Sequence, residues 1–76
     1  MITKKMIRTI NELQEIQRIA SNCPDDVSFH NEDSTIFIDA KSYIGMYALD
    51  FQSPILIVSE NTDLHKQIEN IAETVK

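Results

Sequence analysis

The chain has 76 residues, room for one domain (residues 1–76) with a small core, and its single glycine and two prolines exclude low complexity. Twelve acidic residues against seven basic give a net charge of -5, which repels phosphate backbones and anionic lipid and argues against nucleic-acid or membrane partners. Cys23 is the one cysteine, so no intramolecular disulfide can form; with no signal-like or membrane-length apolar run, a cytoplasmic protein is expected.

From the amino end, Ile2 to Arg8 reads as a strand at a sheet edge, its lysines discouraging further pairing. Lys4, Lys5 and Arg8 read as a solvated face. A helix follows, with Asn11 as cap and Gln14 in the capping-box position. Leu13, Ile16, Ile19, Ala20 and Cys23 form its apolar stripe, and Pro24 ends it. Val27 and Phe29 alternate with Ser28 and His30, a half-buried strand. The polar turn 31–34 joins it to a second strand, Thr35 to Ala40, making a hairpin. Ser42 caps a short helix from Tyr43 to about Asp50. Ile55 to Val58 is a continuous apolar run, expected to be a central strand covered on both faces. The last helix runs from about Thr62 to Val75, capped by Thr62 or Asp63, with Leu64, Ile68, Ile71, Ala72 and Val75 as its stripe. The order is β-α-β-β-α-β-α, an α+β arrangement of helices on one face of an antiparallel sheet.

The stretch Asp39-Ala40-Lys41-Ser42-Tyr43-Ile44-Gly45-Met46-Tyr47-Ala48-Leu49 resembles HPr, the histidine-containing phosphocarrier of the sugar phosphotransferase system. Lys41, Ser42, Gly45 and Leu49 fall in that family's register, as do Ala20-Ser21 and Asp26-Val27. The resemblance implies an open-faced β-sandwich with a four-stranded sheet in the order 1-4-2-3. One departure outweighs these matches. Where the family carries its phospho-accepting histidine, followed by arginine and proline, this chain reads Ile7-Arg8-Thr9-Ile10-Asn11-Glu12-Leu13. Thr9 falls near the histidine position. Without an imidazole there is no nucleophile for the phosphoryl group, and Glu12 and Glu15 oppose an anion at the helix start. His30 and His65 are expected to be exposed and away from this loop.

Two features remain as candidates. Ser42 matches the serine that a dedicated kinase phosphorylates in some members of the family, and a phosphate is favourable at a helix amino end. A hydroxyl cap accounts for the same residue. Tyr43, Ile44 and Tyr47 stay partly outside if Met46 and Leu49 face the core, and the matching surface of HPr is contacted by its protein partners. Cys23, His30 and His65 lack metal-ligand spacing, and no glycine-rich phosphate loop is present. The expectation is a non-enzymatic, cofactor-free and metal-free HPr-like protein. It acts through other proteins, phosphotransferase-system or catabolite-control components among them. The alternative is a small-molecule-binding regulatory α/β module, which would need a ligand loop that the sequence does not offer.

Overall fold

Thr9, not Asn11, starts the first helix. In the computed structural model, which describes residues 1–33, 35–42 and 45–75 (backbone alone at Met46 and Tyr47), helix α1 spans Ile10–Ser21. The Thr9 hydroxyl accepts from Glu12 N–H at 3.1 Å, and the Glu12 carboxylate accepts from the Arg8 and Thr9 amides at 2.8 and 3.2 Å. This reciprocal box satisfies more orphan donors than a cap at Asn11 could, and so takes the helix start. Leu13, Ile16 and Ala20 of α1 are buried, as are Cys23 and Val27 beyond it.

Among the described residues, five strands form one antiparallel sheet: β1 (Ile2–Met6), β2 (Ser28–Asn31), β3 (Phe37–Asp39), β4 (Ile55–Val58) and β5 (Glu73–Thr74). Their order is β3-β2-β4-β1-β5. The expected four-stranded sheet in the order 1-4-2-3 is therefore corrected by one strand, β5, added beyond β1. That addition also corrects the edge placement of β1, which pairs with β4 on one side and β5 on the other.

Period-two alternation divides the sheet into two faces. Thr3, Ile57, Phe29 and Ile38 line up across β1, β4, β2 and β3, with Lys5 and Ile55 in the next row. Phe29, Ile55 and Ile57 join Leu13, Ile16 and Ala20 of α1 and Leu64 of helix α2 (Thr62–Gln67) in one core. The other face carries Ile2, Lys4, Val58, Leu56, Ser28, His30 and Phe37. It is open: Ile2 is 61% and Phe37 65% exposed. β4 is therefore central but covered on one face, not on both as its unbroken apolar run suggests, with Leu56 and Val58 only half-buried.

Two expected helices are shorter than their apolar stripes suggest. The segment after β3 forms a 3₁₀ turn over Gly45–Ala48, and the expected helix start at Tyr43 and Ile44 lies outside the described residues. Gly45 sits so close to β3 that a Cβ there would lie 3.0 Å from Ile38 Cγ2 and 2.9 Å from Ser42 Oγ. Glycine permits that approach and weakens a regular helix at the same position.

The last helix, expected to run to Val75 from Thr62 or Asp63 as cap, is capped by Asn61 and closes at Ile68. Past Ile68 the chain continues in i→i−3 turns, Glu69 N–H to the Lys66 carbonyl and Ile71 N–H to the Ile68 carbonyl, and a buried lysine holds that turn. Lys5 Nζ donates to the Glu69 carbonyl at 3.0 Å, the Ala72 carbonyl at 3.5 Å and Thr74 Oγ1 at 2.7 Å. In a continuing helix the Glu69 carbonyl would accept from Glu73 N–H instead. The chain turns at Ala72, whose φ of 61° is left-handed and costs a non-glycine residue ~1 kcal/mol. It then returns as β5, where Val75 N–H donates to the Lys4 carbonyl at 2.8 Å.

Candidate functional site

The amino end of α1 is the place that the HPr resemblance singles out. Three amides around it are taken by the chain's own groups: Thr9 Oγ1 takes Glu12 N–H, and Glu12 Oε1 takes the Arg8 and Thr9 amides. An incoming phosphoryl group would meet the Glu12 carboxylate at that point. The Arg8 guanidinium is committed to a hydrogen-bonded ion pair with Glu73 of β5.

Beside this capped end lies an apolar groove of about 180 Å³ lined by Ile7, Arg8, Thr9, Ile10, Leu13 and Phe51. Ile7 and Leu13 form its floor as members of the core. Ile10 stands at its rim, 60% exposed, and Phe51 is half-buried. Local structure forces Ile10 outward. The box at Thr9 makes Ile10 the first helical residue, so the buried stripe begins three positions later at Leu13. A volume of this size suits one large aliphatic or aromatic side chain, and among the described residues only Arg8 and Thr9 bring polar side chains to it.

The sequence-derived candidates are placed differently. Ser42 is exposed just beyond β3. Its N–H donates to the Asp39 carbonyl at 2.9 Å, and its hydroxyl accepts from Gly45 N–H at 3.3 Å, the first amide of the 3₁₀ turn. Ser42 is thus a cap in the local geometry, and it does not line the groove. Tyr43 and Ile44 lie outside the described residues, and so does the side chain of Tyr47, whose backbone belongs to the 3₁₀ turn.

Both histidines differ from the expectation of free, exposed rings. His65 is buried. Its Nε2 lies 2.9 Å from the Ser59 carbonyl, which can only accept, so Nε2 carries the hydrogen. Nδ1 lies against the Thr3 hydroxyl, which donates to it when the ring is neutral. The ring therefore ties β1 to the β4–α2 connection. His30 is half-buried on the open face, with Nε2 3.1 Å from Ser28 Oγ and Phe37 meeting it edge-on at 4.7 Å between centroids. Neither ring hydrogen-bonds to the α1 amino end.

Lys5 is the largest correction to the sequence reading of a solvated basic face. It is wholly buried, and burial lowers its pKa, with the Glu69 and Glu12 carboxylates pulling the other way. Only its odd position in β1, in step with Thr3 and Ile7, could have signalled this. Among the described residues no group of three or more His, Cys, Asp or Glu is placed to hold a metal ion, and no helix is long and apolar enough to cross a membrane. No family model matches the chain, and neither curated proteins nor solved structures yield a match.

Proposed function

We propose that the chain is an HPr-like interaction or regulatory module that carries no phosphoryl group on histidine. It works by docking to other proteins, phosphotransferase-system or catabolite-control components first among them, with Ser42 as the residue whose phosphorylation modulates it. The observation that carries this reading is the pairing at the α1 amino end: a Thr9–Glu12 capping box that sets a carboxylate there, next to an apolar groove with Ile10 at its rim. Such a corner can seat a partner's apolar side chain and has nothing with which to take up a phosphate. A strand order in which β1, β4, β2 and β3 are successive neighbours supports the family reading. So do the Lys41, Ser42, Gly45 and Leu49 matches and the close seat of Gly45 against Ile38.

The test uses phosphoenolpyruvate and the general phosphotransferase enzyme. Mass spectrometry is expected to find no phosphate on the chain. Titration of that enzyme's HPr-binding domain is expected to shift the NMR signals of Ile10 and Phe51. Stoichiometric phosphorylation, or signals that stay unmoved at millimolar partner, would end the proposal. Incubation with an HPr kinase is expected to add one phosphate, at Ser42.

A further inference from the structure

The sheet ends in two edge strands, β5 and β3, and β3 has one strand neighbour, β2, among the described residues. The backbone bonds among the described residues decide which groups β3 turns toward β2 and which outward. Asn31 N–H donates to the Ile36 carbonyl and Ala40 N–H to the Val27 carbonyl, while Ile38 sits opposite Phe29. Ile36, Ile38 and Ala40 therefore turn their amides and carbonyls toward β2, and alternation turns those of Phe37 and Asp39 outward. The Asp39 carbonyl takes one bond, from Ser42 N–H, and keeps a second lone pair. Phe37 is also the most exposed large apolar side chain described, on the open face beside His30. β3 is only three residues long and carries the charge of Asp39, both of which limit edge pairing, but it holds no proline, outward lysine or bulge.

We propose that β3 is a self-association edge: two copies pair their β3 strands antiparallel about a two-fold axis at Ile38, joining two sheets into one. This goes beyond the docking role and does not depend on it. The free groups select the register. An axis at Phe37 would set Asp39 against Thr35 of the second copy, whose N–H is already held by Asp33 Oδ1 at 3.1 Å. An axis at Asp39 would oppose two carboxylates and call on Lys41 N–H, held by Asp39 Oδ1 at 2.9 Å. The axis at Ile38 sets Phe37 opposite Asp39 of the second copy, twice by symmetry, and each such pair exchanges two bonds between groups that point outward. It makes the two Phe37 rings diagonal neighbours on the open face, within reach of one another. It also brings Lys41 toward the second copy's acidic turn, which carries Glu32 and Asp33. Charge and backbone agree on one arrangement. A three-residue strand offers few backbone bonds and little area beside the ~800 Å² per partner of a stable interface, so association is expected to be weak, between about 10 µM and 1 mM.

Sedimentation velocity on the intact chain across that range tests the proposal. The weight-average sedimentation coefficient is expected to rise with concentration, and Phe37→Lys to weaken association at least tenfold while the folded signal by circular dichroism is kept. Register is read separately by cysteine pairs in a Cys23→Ser background. Phe37→Cys mixed with Asp39→Cys is expected to form crossed disulfide dimers several-fold faster than either alone, because bonded strand pairs bring Cα atoms to ~5.5 Å. A chain that stays monomeric to 1 mM overturns the proposal. So does a dimer indifferent to Phe37→Lys, or cross-linking with no preference for the mixed pair.

Discussion

The two sides of this sheet treat the same liability differently. Beyond β1 the chain covers its own edge: β5 lies against Lys5 and Met6, the Lys5 ammonium holds the turn that delivers it, and Arg8 pairs with Glu73 on the outside. Beyond β2 the hairpin simply stops at β3, with Phe37 in solvent. A lysine in an edge strand usually protects by pointing into water. Lys5 protects by pointing inward, as an anchor for a strand. The comparison teaches that charge in a strand says little about exposure until the acceptors around it are known.

The greatest effect should come from the anchor. Lys5→Ala leaves two carbonyls and Thr74 Oγ1 without their donor and opens a cavity, and is expected to cost ~2–4 kcal/mol in urea unfolding. Lys5→Met refills the space without a donor and should recover only part of that loss. Lys4→Ala, one residue away on the open face, should cost under ~1 kcal/mol, since its 3.7 Å contact with Glu32 is partly exposed. Equal losses at Lys4 and Lys5 would erase the distinction between the two faces of β1. A milder test is Thr3→Val, which leaves His65 Nδ1 unpaired and should cost ~1–2 kcal/mol. A loss below ~0.3 kcal/mol would show that the ring does not hold β1 in place.

What could be read from the sequence follows from where the information is local. The α1 stripe, the β2–β3 hairpin and the apolar run Ile55 to Val58 were legible because periodicity and turn residues lie within a few positions of one another. The Thr9–Glu12 box was written in the sequence as plainly as Asn11 and Gln14, and geometry chose between them. The end of α2 was not legible. Its stripe continues through Ile71 and Ala72, yet the chain turns there, and the Glu69 and Ala72 carbonyls of that turn are held by an ammonium 64 and 67 residues earlier. His65 was hidden for the same reason: its partner Thr3 is 62 residues away. The groove was half legible. Ile10 and Leu13 show a three-residue spacing, but Phe51 comes from a distant turn and nothing local announces it.

On the outer side of β5, the Arg8–Glu73 pair should matter little. Both side chains are more than half exposed, 58% and 57%, so screening by water and salt reduces their attraction. Glu73→Gln is expected to cost under ~0.5 kcal/mol at low salt and nothing measurable at 1 M. A larger, salt-insensitive loss would shift the anchoring of β5 from Lys5 to its surface.

The smallest effect on global stability belongs to the hairpin turn that leads into β3. Asp33 Oδ1 accepts from the Thr35 hydroxyl at 2.8 Å and from Thr35 N–H at 3.1 Å, and these two bonds lower its pKa below the ordinary 3.8. A carboxylate whose folded pKa is depressed stabilises the folded form above its unfolded value, and the benefit is lost as pH falls through the folded one. Acid should therefore loosen this turn first, below pH 3.8, while the edge anchored by the three Lys5 hydrogen bonds holds. An NMR titration would show Thr35 and Asn31 moving together, with Asp33→Asn abolishing the transition. If Asp33 titrated at or above 3.8, or if β5 amides lost protection before Thr35 did, the open edge would not be the weaker of the two.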